Sequence, residues 1–211
     1  FGLGNPHLQT LWGPLWRPTT HIERQRERLW LEDGDFLDLD WHGPHDAQAP
    51  LVLVLHGLTG SSNSPYVAGL QKVLAAQGWA SAALNWRGCS GEPNLLARSY
   101  HSGASEDLAA AIAHLRAKRP LAPLYAVGYS LGGNVLLKYL GETGADSQLQ
   151  GAAAVSDGGP EVGDGPLPEP FAIFQLLQWV GGVSCGKGKD IGGLFDGQVR
   201  VGKEHLHLLF A

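Results

Sequence analysis

Four short apolar runs constrain the fold of this chain more than any other feature: LVLVLHG from Leu51, ASAALNW from Ala80, LYAVGYS from Leu124 and LQGAAAVS from Leu149. Their apolar cores are continuous rather than alternating, the pattern of strands buried on both faces of a parallel sheet. The segments between them have helical marks. One runs from about Pro65 to Gln77 and stops at Gly78, where helices commonly end. A second, Ser105 to Lys118, carries Leu108, Ile112 and Leu115 on one face and is stopped by Pro120. A third, LGGNVLLKYLGETG, follows Ser130. Strands alternating with helices of about 10 to 15 residues predict an α/β chain with right-handed crossovers.

The flanks of this pattern differ from it. RLWLEDG and FLDLDWHG alternate apolar and polar residues around a turn at Glu32 to Asp35, which predicts a half-buried antiparallel hairpin. Residues 1–17 mix Gly, Pro and Trp without a period and read as an irregular packed arm. Beyond Ser156 glycine rises to about one residue in five, against roughly 7% in proteins generally. FAIFQLLQWV is the one stretch there patterned as an element. The expected division is therefore a core over residues 1–156 and a Gly-rich C-terminal segment over 157–211. Because this leaves the sheet without its last strands, an exposed edge prone to aggregation is expected.

Composition narrows the function classes. A net charge of −5 and the lack of any long Lys/Arg run give no footprint for nucleic acid or for an anionic membrane surface. No apolar run reaches the roughly 20 residues that span a bilayer. Two cysteines, Cys89 and Cys185, without C-x-x-C spacing suggest neither a disulfide framework nor a metal site, and point to a reducing, cytoplasmic compartment. A small uncharged molecule is the expected partner, with no cofactor and no metal.

The chemistry concentrates in GYSLGG, Gly128 to Gly133, between a predicted buried strand and a predicted helix. A G-x-S-x-G pattern in that context marks a nucleophile at a tight strand-to-helix turn, where flanking glycines let chain segments pass closely. Ser130 would project above the sheet edge at the positive end of the following helix, where a developing oxyanion is favoured. The backbone amides of Leu131 and of Leu58, in the HGLTGSS loop after the third strand, are the expected oxyanion donors. His56 precedes the nucleophile and reads as structural. The loop Arg87 to Gly103, with Arg87, Cys89, Arg98, Tyr100 and His101, reads as a segment holding itself together by hydrogen bonds.

These segments together carry a family resemblance. NPHLQT at Asn5 to Thr10, HGLTGSSNSPYV at His56 to Val67, NWRGCSGEPN at Asn85 to Asn94, RSYHSG at Arg98 to Gly103 and GYSLGGN at Gly128 to Asn134 resemble the YheT-like group of α/β-hydrolases, in family order. The resemblance implies the α/β-hydrolase fold, a mostly parallel sheet with helices on both faces, here with its C-terminal part truncated or aberrant. It also implies hydrolysis of carboxylic esters, short-chain acyl esters or acylglycerols, with Ser130 as nucleophile.

In this fold the triad partners follow in the order Ser, Asp or Glu, then His, and the resemblance places them beyond two further strands and a cap. The downstream histidines here are His205 and His207; the relevant acids are Asp157, Asp190 and Asp196. Order permits Ser130, Asp196 and His205, although the few residues between the last two leave no room for a helix and another strand. Asp157, just after a strand's carboxyl end, has the better topology. Two functions follow: an esterase acting through an acyl-enzyme on Ser130, or an inactive α/β-hydrolase-like fragment lacking its acid and histidine.

Overall fold

A computed structural model describes residues 21–155 and two further strands at residues 198–201 and 204–209. One sheet organises them. Its strands are β1 (Gln25–Trp30), β2 (Phe36–His42), β3 (Leu51–Leu55), β4 (Ala80–Asn85), β5 (Leu124–Tyr129), β6 (Gly151–Val155), β7 (Gln198–Val201) and β8 (Glu204–Leu209), in spatial order β1-β2-β4-β3-β5-β6-β8-β7. The central β4, β3, β5 and β6 are parallel, with the antiparallel β1–β2 hairpin on one flank and the antiparallel β8–β7 pair on the other.

The four apolar runs fill the middle of the sheet because both of their faces are covered. Leu51, Leu53 and Leu55 point to one side and pack with Leu84, Leu124 and Ala126 against α2 (Ser105–Lys118) and α3 (Leu131–Thr143). Val52 and Val54 point to the other side and meet Ala83, Val127 and Ala153 under Val67, Leu70 and Leu74 of α1 (Pro65–Ala76). Helix α1 starts with Pro65, whose fixed φ suits a first helical position. It ends in a Schellman motif: Gly78, at φ +77°, donates to the Ala75 carbonyl, and Trp79 to that of Leu74. Helix α2 has Glu106 and Asp107 in its first turn and Arg116 and Lys118 in its last, in agreement with the helix dipole.

Two expectations need correction. The inner strand of the hairpin is not half-buried: Phe36 to Asp40 of β2 are all buried, whereas β1 is exposed or partly buried along its length. As an inner strand, β2 turns Leu37 and Leu39 to the core, while Asp38 and Asp40 on its other face are covered by Arg28 and Arg26, each gripping its carboxylate through two hydrogen bonds of 2.8–2.9 Å. Nor is the edge of β6 bare, because β8 pairs with it from Ala152↔Leu209 to Val155↔Leu206. Of the described residues between Asp196 and His205, 198–201 form β7 and Glu204 opens β8. The N-terminal arm over residues 1–17 and FAIFQLLQWV lie outside the described residues.

Candidate active site

The turn between β5 and α3 is as tight as its glycines require. Ser130 has φ +50° and ψ −117°, a left-handed conformation that costs a non-glycine residue energy and marks nucleophile turns. Its amide donates to the Val155 carbonyl at 2.8 Å, and its own carbonyl accepts from Asn134 at 3.0 Å. The strained residue is thereby tied to β6 on one side and to the helix on the other, and its side chain stays exposed. A methyl added to Gly128 would lie 2.5 Å from the Gly132 carbonyl oxygen, and one added to Gly132 would lie 2.7 Å from that of His56. Real carbon atoms do not approach so closely, so the G-x-S-x-G spacing is a steric necessity here.

The loop after β3 closes on the same point: a methyl on Gly57 would sit 3.2 Å from Cβ of Ser130. From Gly57 to Ser64 each amide of this loop except one has an acceptor among the described residues. Gly57 donates to the Tyr66 hydroxyl at 3.1 Å, Thr59 to the Tyr100 hydroxyl at 2.8 Å, Gly60 to the Gly57 carbonyl at 3.1 Å and Ser61 to Oγ of Ser64 at 3.1 Å. Among the described residues the Leu58 amide has no acceptor. Leu131 opens α3, so its amide is one of the first-turn donors that a helix leaves without an internal partner. The structure therefore brings Ser130, Leu58 and Leu131 to one end of the sheet, with two backbone donors available beside an exposed hydroxyl.

His56 is close by and fully used. Its Nδ1 lies 2.7 Å from the Gly57 carbonyl, its Nε2 accepts the Trp86 amide at 3.3 Å, and its own carbonyl accepts Nε1 of Trp86 at 3.0 Å. This arrangement fixes the Nδ1–H tautomer, and burial holds the ring's pKa below the ordinary histidine value. His56 is a neutral brace for the loop.

The Arg87 to Gly103 loop is organised by buried charge. Arg87 grips Asp107 through Nε and Nη2, both at 2.8 Å, and also reaches Asp35 at 3.1 Å and Asp33 at 2.8 Å. Asp35 in turn accepts from Asn94 and from the amides of Phe36, Leu95 and Leu96. Burial pushes the Asp35 carboxyl up, but these donors outweigh it and hold the pKa at about 2. Arg98 pairs with Asp33 and Glu106, and His101 accepts the Gly103 amide at 3.0 Å. Cys89 is half-buried, and burial raises its thiol above the ordinary value, the opposite of an activated nucleophile. Sequence reasoning missed Tyr66 and assigned Tyr100 to a self-supporting loop; both hydroxyls in fact accept amides of the loop after β3, Tyr100 from a distant segment, and no local pattern announces that.

Of the weaker triad candidates, Asp157, Asp190 and Asp196 lie outside the described residues. His205 and His207 are on β8. Across the sheet Tyr129 aligns with Val155, and Val155 with Leu206, so His205 stands one residue nearer the edge that carries Ser130, with β6 between. Among the described residues no cluster of His, Cys, Asp and Glu could hold a metal ion, and no helix is long and apolar enough to cross a membrane. A cleft of about 860 Å³ opens at the opposite end of the sheet, near Trp41, His42, Lys118 and Arg119, and none of its lining residues belongs to the elbow.

Comparison with known proteins agrees with this geometry. Residues 50–184 match the family model described as alpha/beta hydrolase fold. The chain is 45% identical over 157 residues to YheT of Escherichia coli (strain K12), an alignment covering 74% of this chain and 46% of that protein. It is 33% identical over 157 residues to the phospholipase ABHD3 of Homo sapiens, covering 71% of this chain and 38% of that one. The chain thus spans less than half of the length of these relatives. Among solved structures it is similar to Est1E from Butyrivibrio proteoclasticus with ferulic acid bound, at a TM-score of 0.52 and 17% identity over 60% of this chain and 50% of that one. That likeness concerns the fold, while the family match begins just before β3 and takes in both the loop after it and the elbow. By that match and by its likeness to YheT, the chain belongs to the α/β-hydrolase fold family, in its YheT-like group.

Proposed function

We propose that this chain is a serine hydrolase that cleaves small carboxylic esters, short-chain acyl esters or acylglycerols, through an acyl-enzyme on Ser130. The observation that carries the reading is the conjunction at the elbow: an exposed serine on a left-handed turn, followed by the first-turn amide of Leu131 and approached by Gly57 of the loop that carries the uncommitted amide of Leu58. In the first step Oγ of Ser130 loses its proton to a base and bonds to the ester carbonyl carbon. The carbonyl oxygen becomes an oxyanion held by the two amides. Collapse breaks the bond to the alcohol, which leaves with a proton, and water then cleaves the acyl-enzyme by the same steps. His205 is the described histidine whose register suits the base, with Asp157 or Asp196 as the acid that orients it. Relatives named as phospholipases support ester substrates for the family.

The test is hydrolysis of short- and medium-chain p-nitrophenyl esters by the wild type, Ser130→Ala and His205→Ala. Turnover abolished in Ser130→Ala supports the nucleophile. A loss in His205→Ala of on the order of 10⁴ supports the base. No turnover in folded wild type would favour the second reading, an elbow present without its acid and histidine.

A further inference from the structure

We infer that Tyr66 and Tyr100 are positioning residues of the oxyanion hole, together setting the Leu58 amide, one of its two donors; the inference rests on Ser130 being the nucleophile. The two hydroxyls bracket Leu58. Tyr66 accepts the amide of the residue before it, and Tyr100 the amide of the residue after it, at 3.1 and 2.8 Å. With those two peptide planes fixed, the plane between them has little rotational freedom, because adjacent peptide units share a Cα and turn only about φ and ψ.

The need for such clamps is visible in the backbone. Thr59 has φ +57°, a left-handed conformation that a β-branched residue adopts only when its surroundings enforce it. The bond from its amide to Tyr100 holds it there, together with the turn that the Gly60 amide closes on the Gly57 carbonyl. Released, the loop would relax toward ordinary φ values, and the Leu58 amide would swing off its direction.

Each tyrosine also ties the loop to a different part of the site. Tyr66, the second residue of α1, packs its ring against Tyr129 at a centroid distance of 4.7 Å, and Tyr129 directly precedes Ser130. One side chain therefore braces both the Leu58 half of the hole and the strand that carries the nucleophile. Tyr100 stacks on Trp86 at 6.4 Å and 8° between planes, and lies edge-on to His56 at 6.2 Å. It comes from the loop that Arg87 and Asp35 hold through a buried ion pair and the Leu95 amide. A loop read from sequence as self-supporting thus has a task at the site.

The test compares wild type with Tyr66→Phe, Tyr100→Phe and the double variant, each losing a hydroxyl and keeping the ring. Tyr125→Phe, whose ring stacks on Trp79 away from the elbow, serves as control. With p-nitrophenyl butyrate, kcat is expected to fall about 10- to 100-fold in each single variant, less than the roughly 10²- to 10³-fold loss when an oxyanion donor is removed outright. KM should stay within about twofold and thermal unfolding near that of the control, a split that a merely structural role would not produce. Hydrogen exchange at the Thr59 amide should speed up in Tyr100→Phe. Turnover lost in Ser130→Ala but unchanged in both tyrosine variants would overturn this inference and leave the nucleophile standing, as would unchanged exchange at Thr59. Turnover that survives Ser130→Ala, or its absence from folded wild type, would overturn the reading of Ser130 and this inference with it.

Discussion

Gly132 stands so close to His56 that a methyl group on its α-carbon would lie 2.7 Å from the His56 carbonyl oxygen and 2.8 Å from that of Leu55. The opposing atoms are backbone, so they cannot rotate away as a flexible side chain would. The contact joins the first turn of α3 to the end of β3, and so joins Ser130 to the loop that carries Leu58.

Replacing Gly132 with Ala should therefore destabilise the fold by roughly 1–3 kcal/mol, the range for overpacking a well-filled site, and depress ester turnover further by parting Ser130 from Leu58. Gly141, in the same helix with open space around its α-carbon, provides the contrast. Gly141→Ala should stabilise by about 0.5–1 kcal/mol through helix propensity alone. Denaturant unfolding midpoints of the two variants check both signs.

Arg87 is the keystone of a buried network, with Asp107 and Asp35 equally buried around it. Arg87→Ala leaves those carboxylates without their partner and should cost about 3–5 kcal/mol, the usual penalty for breaking a buried pair from one side. Arg87→Lys should rescue little, because a single ammonium cannot reproduce the two-pronged grip on Asp107 while also reaching Asp35 and Asp33. Thermal unfolding of both variants tests the expectation.

The acid limb of stability should carry the signature of Asp35. Its folded pKa is about 2, below the 3.8 of an unperturbed aspartate, so the unfolded chain binds more protons in that interval and stability rises with pH. The contribution is complete above about pH 4 to 5 and is lost as pH falls toward 2. Urea unfolding across this range should show a steeper slope in the wild type than in Asp35→Asn, which is less stable at neutral pH and flatter in acid.

The alkaline limb should carry that of Tyr129. Burial, and then the neighbouring Tyr66 phenol, raises its pKa from 10.0 to about 12. A folded pKa above the unfolded value means stability that is whole below pH 10 and is lost as pH rises through 12. Burial also raises Tyr100, Tyr125 and Tyr139, so absorbance titration near 295 nm should show several tyrosines ionising above the ordinary value, and the latest step should be lost in Tyr129→Phe.

Much of this architecture is legible in the sequence because it is local. The helix over Ser105–Lys118 and the strands at Leu51, Ala80, Leu124 and Gly151 follow from apolar period and punctuation. The elbow follows from glycines whose spacing has a steric reason. What escapes is whatever depends on distant segments meeting. The alternation FLDLD predicts one wet face for β2, yet Arg26 and Arg28 from the neighbouring strand cover Asp40 and Asp38, and a charge pair spread over 10 to 14 residues has no periodic signal. Tyr100 lies 41 residues from Thr59, in a loop whose composition announces only turns. Strand β8 falls in Gly-rich sequence, and its pairing with β6 bridges residues far apart in the chain.

The most direct test of the account is covalent labelling by a fluorophosphonate, followed by mass measurement of the intact protein and of its peptides. The account predicts one adduct per chain, carried by Ser130 and absent from Ser130→Ala. An adduct on any other residue, or none on wild-type protein that unfolds cooperatively, would contradict the assignment of the elbow serine as an activated nucleophile.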